Sequence, residues 1–172
     1  MTQISIPSHT PEKSILDLNG RQIYLGNAFV SGFEAQPIGT TAETPVFLVM
    51  NPSDSKKSVF SFFRRFEILV TNNQFCTFSV YVNPLVINPG TPMTPGNLRL
   101  SSTPSVSSIL TSFLPIASPF GAPNLRRSVA TGSASIEDNV LVILDPGSSM
   151  LLTAKPSNTA APISFQMGWY EF

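Results

Sequence analysis

The chain has 172 residues, with ten basic and ten acidic side chains and only 12% charged residues in all. That length suits one domain burying roughly 70% of the surface its unfolded chain exposes, a core that needs no staples. Sparse, balanced charge gives no field of one sign, which argues against duplex nucleic acid and anionic membrane as partners.

Thirteen phenylalanines and sixteen prolines favour pleated, half-buried strands interrupted by turns and edges. Residues 1–13 are polar, hold Pro7 and Pro11, and read as an arm that orders against a partner. Residues 14–172 read as a single domain. A first strand region is predicted over 21–33, as Ile23–Leu25 and Ala28–Val30 with a bend at Gly26-Asn27. Pro45–Met50 is a short apolar run, expected as a strand buried on both faces, and Asn51–Lys57 is dense in turn signals.

Ser58–Thr71 is the longest strand candidate. Alternation puts Phe60, Phe62, Phe66, Ile68 and Val70 on one face and Val59, Ser61, Phe63, Arg65, Glu67 and Leu69 on the other. Arg64 interrupts the first face, which predicts an edge position or a carboxylate partner. Thr71–Gln74 reads as a tight turn into the strand around Cys76 and Tyr81, the two forming a hairpin. The chain then changes character: residues 83–123 are dense in Pro, Ser and Thr, with Leu98–Leu100 and Val106–Leu110 as short strands at most. Such an excursion is where a sandwich commonly carries its interaction surface.

Regular patterning returns with a weak strand over Ser128–Ile136, a strong one over Val140–Leu144 and a Pro-Gly turn at Asp145–Gly147. Two further strands follow at Ser148–Ala154 and Ala161–Phe172. In the last, Ile163, Phe165, Met167 and Trp169 alternate with small or polar residues, so it closes a sheet, and Trp169 belongs in the core with its indole N–H on a backbone carbonyl or water. The sum is an all-β chain, an antiparallel β-sandwich of jelly-roll-like topology with about 8–10 strands.

No enzymatic constellation stands out. A Ser-His-Asp site needs a positioned histidine, and the one histidine, His9, sits in the arm. The carboxylates Glu34, Glu43, Asp54, Glu67, Glu137, Asp138, Asp145 and Glu171 are mostly isolated and in turns, and Glu137-Asp138 reads as a solvated turn. One His and one Cys cannot build a structural zinc tetrahedron, no phosphate-cradling glycine loop follows a strand, and a calcium site at Asp145 with Glu137-Asp138 lacks the spacing. The lone Cys76 permits no intramolecular disulfide and shares a face with Phe78, Val80 and Val82, the position of a small buried hydrophobe. The expectation is therefore a non-enzyme with no catalytic, cofactor-binding or metal-binding residues. Met1–Lys13 has no apolar signal-type core, and no run approaches about 18 apolar residues, which predicts a chain made in a reducing compartment that does not span a membrane.

Three basic pairs, Lys56-Lys57, Arg64-Arg65 and Arg126-Arg127, suit solvated turns or edges, or salt bridges to an acidic partner. Tyr24, Phe63, Tyr81 and Tyr170 suit core or interface positions, or stacking on sugar rings.

Two segments carry a family resemblance. Glu43-Thr-Pro-Val-Phe-Leu-Val-Met-Asn51-Pro-Ser-Asp-Ser-Lys56-Lys57 is an apolar strand running into an Asn-Pro-Ser turn with a basic end. Val142-Ile-Leu-Asp-Pro-Gly147-Ser-Ser-Met-Leu-Leu-Thr-Ala154 leads to a closing strand ending Trp169-Tyr-Glu171. Asn83-Pro84 with Gly90-Thr-Pro-Met-Thr-Pro95 is a similar loop. Together they resemble the small β-sandwich virion structural proteins of tailed bacteriophages, capsid decoration or cement proteins and head-fibre or tail-fibre modules. The resemblance implies a virion protein, made in the host cytoplasm, that stabilises a shell through contacts with the major capsid protein or other virion proteins. The alternative it leaves open is a receptor- or carbohydrate-binding fibre module. It also implies a homotrimer, and alternation puts apolar residues, among them Val59, Phe63, Leu69 and Tyr81, on second strand faces that a monomer would leave exposed and that its interface would use.

Overall fold

In a computed structural model, residues 20–69, 74–100, 105–131, 135–138 and 142–172 are described. The strands are β1 (Ala28–Pro37), β2 (Thr44–Met50), β3 (Val59–Ile68), β4 (Phe75–Val82), β5 (Leu85–Asn88), β6 (Thr91–Met93) and β7 (Gly96–Asn97). They continue with β8 (Leu110–Phe113), β9 (Ile116–Ser118), β10 (Asn124–Thr131), β11 (Ser135–Asp138), β12 (Val142–Leu144), β13 (Ser149–Pro156) and β14 (Pro162–Glu171).

One sheet runs β11-β3-β14-β1-β7, with β12 following β11 alongside β3. The other runs β10-β4-β13-β2-β8-β6. The first four strands of each list, β11-β3-β14-β1 and β10-β4-β13-β2, wind as a jelly roll, β1 to β4 crossing from sheet to sheet in turn and the chain crossing again from β10 to β11 and from β13 to β14, and every pairing is antiparallel. The expected sandwich is thus present, with more and shorter strands than predicted, because the excursion adds β5–β9. The predicted hairpin is not: β3 and β4 lie in different sheets. In a jelly roll, strands consecutive along the chain cross between layers, and local turn signals cannot tell that crossing from a hairpin.

The first predicted strand segment is also corrected. Residues 20–25 form a short helix, the one helix among the described residues. The Gly26 N–H donates to Ile23 O at 3.0 Å and the Asn27 N–H to Gln22 O at 3.0 Å, the paired bonds of a Schellman cap. Gly26 sits at φ +78°, the left-handed conformation that this cap needs and that glycine adopts without penalty.

The core between the sheets is aromatic. Phe33, Phe47, Phe66 and Phe165 meet at centroid distances of 4.9–6.4 Å, and Trp169 stacks on Phe29 at 6.2 Å. Trp169 is fully buried, as the alternation of β14 predicts, but its indole N–H donates to the Glu171 carboxylate at 3.3 Å rather than to a backbone carbonyl or water.

The predicted faces of β3 are shifted by a bulge. Gly168 of β14 opposes Phe63 and Trp169 opposes Ser61, so Phe62 is the extra residue. One inserted residue reverses the alternation. Val59, Ser61, Arg64, Phe66 and Ile68 are buried, while Phe60, Phe62 and Phe63 are half-buried on the outer side. Val59 is therefore core and unavailable to an interface. Arg64 points inward from an interior strand, with Nη1 donating to Met150 Sδ at 3.9 Å and its backbone opposite Met167 and Asp138.

Candidate interaction surface

The excursion leaves the body at Val82 and returns at Pro123, where the Val82 N–H donates to Pro123 O at 3.1 Å. Asn83, at φ +50°, locks the departure: its N–H donates to Ser149 O at 2.8 Å and its Oδ1 accepts the Ser149 N–H at 2.8 Å. From there the chain visits both sheets. β8 pairs with β2 and β6 with β8, while β7 pairs with β1 at Phe29 and Val30. The remaining pair, β5 with β9, forms a separate two-stranded ribbon.

This ribbon lies beside β2, and the Leu114 N–H just ahead of β9 donates to Val46 O at 3.1 Å. Leu48 and Leu151, paired across β2 and β13, are fully buried without belonging to the inter-sheet core, as a third layer over that face would make them. Of the run Pro45–Met50, Val46–Val49 are buried on both faces as predicted, while Pro45 and Met50 are half-buried.

The ribbon's other residues are uncovered. Val86 and Ala117, directly paired, are half-buried, but Leu85, Ile87 and Ile116 are 66, 71 and 59% exposed and Phe120 is 93% exposed. Of the fifteen large apolar side chains left exposed among the described residues, eight lie within residues 83–123. From Asn83 to Leu125 the sequence has a single charged residue, Arg99. This uncharged, apolar exposure makes the segment the candidate interaction surface.

The middle of the excursion is pinned by Glu171, at the end of β14. Its buried carboxylate accepts from Ser107 Oγ at 2.5 Å, from Ser108 Oγ at 2.7 Å and N–H at 3.2 Å, from Lys57 Nζ at 3.1 Å and from Trp169 Nε1. Burial pushes the carboxyl pKa up, but the hydrogen bonds from Ser107, Ser108 and Lys57 outweigh it, and the group titrates below its ordinary value. One carboxylate thus ties together the closing strand, the excursion and the turn after β2. That turn is held by Asn51, whose Nδ2 donates to Lys57 O at 2.8 Å and Leu144 O at 2.9 Å.

A second apolar feature lies on the outer face of the β3–β14 sheet. Phe62 stacks on Tyr170 at 4.4 Å and 19°, Phe63 packs against Phe62, and Phe60 meets Phe172 edge-on. The rings close over Gly168, where a Cβ would lie 2.3 Å from Phe63 Cε1 and 2.6 Å from Phe62 Cζ. Burial pushes the Tyr170 phenol up to about 12. Beside this cluster a furrow of about 440 Å³ crosses β1 and β14, with Glu34, Thr94 and Gln166 among its walls. It continues into a smaller hollow of about 180 Å³ at Arg65, Glu67 and Ser164.

The other candidates disperse. His9 lies outside the described residues, as do the side chains of Arg126, Arg127 and Asp138. Glu67 pairs with Arg65 at 2.7 Å, Asp145 accepts from Ser58 Oγ at 2.9 Å, and Glu43 accepts from Tyr81 and Thr153 hydroxyls at 3.0 and 2.6 Å. Glu34, Asp54 and Glu137 are exposed. Cys76 is buried, and that burial pushes its thiol up to about 12, away from reactive thiolate. Tyr24 is exposed, with the Arg99 guanidinium 5.6 Å from its ring centroid. Among the described residues no cluster of three or more His, Cys, Asp or Glu could hold a metal ion, and no helix is long and apolar enough to cross a membrane. No protein-family model matches the chain, and no curated protein matches it.

Proposed function

We propose that this chain is a non-enzymatic virion structural protein, a capsid-bound decoration or cement protein that works as a homo-oligomer through static protein–protein contacts. The observation that carries the reading is the uncharged excursion with its uncovered apolar ribbon. Side chains such as Ile87 and Phe120 lose free energy to water until a partner covers them. A cement protein stabilises a shell by mass action: it binds the assembled lattice and not the free precursors. The partner is the major capsid protein or another virion protein, and the place of work is the particle.

The test is co-sedimentation of the purified chain with particles of the virus that encodes it. Particles lacking the chain should lose heat resistance and regain it on add-back; failure to bind them would exclude the reading.

A second reading, a carbohydrate-binding fibre module, rests on the polar furrow around Glu34 and Gln166. Binding to a glycan array that Gln166→Ala abolishes would favour it. Against it, the ring of Tyr24 has Arg99 beside it and Phe63 and Tyr170 are engaged in the outer aromatic cluster, so three of the four aromatic rings suited to sugar stacking already have partners.

A further inference from the structure

We infer that the N-terminal segment Thr2–Ile6 adds as a strand to the open edge of β1 in its own chain, and that the furrow beside that edge is its seat. The inference does not depend on the virion role.

β1 has one edge filled and the other nearly bare. β14 runs along the first from Ala28 to Pro37, but on the second β7 meets only Phe29 and Val30. The Leu98 N–H donates to Ala28 O at 2.9 Å, so alternate residues of β1 from Ala28 onward turn their backbone groups to that second edge. Those of Val30 meet Gly96, while those of Gly32 meet no strand among the described residues. Further on, the Glu34 carbonyl accepts a bond from its own neighbour's side chain, Gln36 Nε2, at 2.9 Å. The ladder ends where the excursion parts from β1 at Pro95. Continued in register, β7 would set Thr94 opposite Gly32; instead both residues line the furrow of about 440 Å³. Phe33 and Met93 line it as well, and Met93 and Phe113 at this mouth of the sandwich are only half-buried.

A bare edge over an apolar mouth is a template for a strand with apolar side chains at alternate positions. The chain carries one within residues 1–19, outside the described residues. Thr2-Gln-Ile4-Ser-Ile6 sets three β-branched residues against Gln3 and Ser5, has no charged side chain, and stops at Pro7, which cannot donate to a ladder. Ile4 and Ile6 supply the apolar cover that Met93 and Phe113 lack.

The tether reaches. Residues 7–19 span at most about 45 Å when extended. The path they must cover is the helix, about 9 Å long, and the run of β1 from Ala28 to Gly32, about 13 Å. Tethering also selects the occupant. A flexibly linked segment meets its site at an effective concentration on the order of millimolar, so at micromolar protein the chain's own arm displaces that of a second copy. Seated there, the arm lies against Met93 and Thr94 of the excursion and joins the surface proposed to meet a partner. It also fills the furrow on which the carbohydrate reading rests. Five residues at an edge open before the core does, so the arm adds little to the melting temperature.

The experiment is amide hydrogen exchange, read residue by residue by NMR, on the full-length chain at micromolar and at near-millimolar concentration. The Gly32 amide should exchange at least about tenfold more slowly in wild type than in Ile4→Asp/Ile6→Asp, and equally slowly at both concentrations. Thr10→Asp, in the tether, should leave it as slow as wild type. The Met167 amide of β14, paired with the other edge of β1, should not respond to any of these changes. A second measurement leaves both isoleucines in place. A nitroxide on Ser5→Cys, with Cys76 buried and spared by the reagent, should broaden the resonances of Gly32 and Thr94 and leave Ile136 of β11 sharp. A Gly32 amide that exchanges alike in wild type and Ile4→Asp/Ile6→Asp, or a label at position 5 that does not touch Gly32, would overturn the inference. So would protection lost on dilution, which would seat a second copy's arm in the furrow.

Discussion

Replacing Glu171 by alanine is the sharpest single probe of how the excursion is held to the sandwich. The carboxylate accepts from Lys57, Ser107, Ser108 and Trp169, and its side chain is fully buried while that of Lys57 remains 40% exposed. Stripping one partner from a buried ion pair costs about 3–5 kcal/mol, and each buried donor left without an acceptor about 1–3 kcal/mol. Lys57 can return to water, which places Glu171→Ala near the lower end, about 3 kcal/mol. For a domain of this size that is a fall in melting temperature of about 6–12 °C. Glu171→Gln keeps an acceptor oxygen and the side-chain volume and should cost about 1–2 kcal/mol. The two proteins also differ in pH dependence. The folded-state pKa of Glu171 is depressed, so its contribution is fully present above the unfolded carboxyl value of 4.5 and is lost as pH falls through the folded value. Urea unfolding of wild type and Glu171→Gln should therefore show a constant gap above that pH and a narrowing one below it. Limited proteolysis should meanwhile cut Glu171→Ala faster near Ser107 and Ser108. A melting shift below about 2 °C for the alanine variant, or a gap indifferent to pH, would refute the latch.

Three other outcomes follow from the structure, and a fourth from the sequence alone, since residues 1–19 lie outside the described residues. Trp169→Ala removes a fully buried indole stacked on Phe29 and should cost about 3–5 kcal/mol in urea unfolding. Gly168→Val drives a Cβ into Phe62 and Phe63 and should cost about 1–3 kcal/mol, with a changed near-ultraviolet dichroism from the Phe62–Tyr170 stack. Cys76, buried and with its thiol pushed up to about 12, should resist a disulfide reagent in the native protein and react fully in denaturant. Deleting residues 1–12 should leave the melting temperature within about 2 °C of wild type while weakening particle association, which melting and co-sedimentation together measure.

Much of the fold is legible because buried strands alternate. Ile163, Phe165, Met167 and Trp169 announce β14 and its inward face, and the apolar run ending at Met50 announces β2. What alternation cannot supply is phase across a bulge. Phe62 adds one residue to β3, so Val59 and Ser61, not Phe60 and Phe62, share the inward face of Arg64, Phe66 and Ile68. Nor can it distinguish a strand from one helical turn. Ile23-Tyr-Leu25 reads equally well either way, and the deciding signal was Gly26, which serves a helix cap as readily as a strand bend. Partner choice between sheets is the third blind spot, since the turn after β3 looks the same whether β4 returns beside it or crosses to the other layer.

The two parts of the candidate site differ in how the sequence encodes them. Glu171 continues the same odd-numbered series as Ile163 through Trp169, so the alternation that buries Trp169 also buries a carboxylate two residues on. A charge in that position demands donors, and a reader of the pattern could have asked where they were; nothing local names Ser107 and Ser108, about sixty residues earlier in a segment without regular periodicity. The ribbon is the opposite case. Its location in the Pro-rich excursion is visible from composition, because a long uncharged stretch that keeps Leu, Ile and Phe must either find cover or expose them. Its exposure emerges only when the strands are placed. Two short strands that among the described residues pair only with each other, bracketed by prolines, add nothing to the core that Phe47, Phe66 and Phe165 already fill. Composition announces that apolar residues gather there, but only the pairing of β5 with β9 shows that Leu85, Ile87 and Ile116 are the ones left in water.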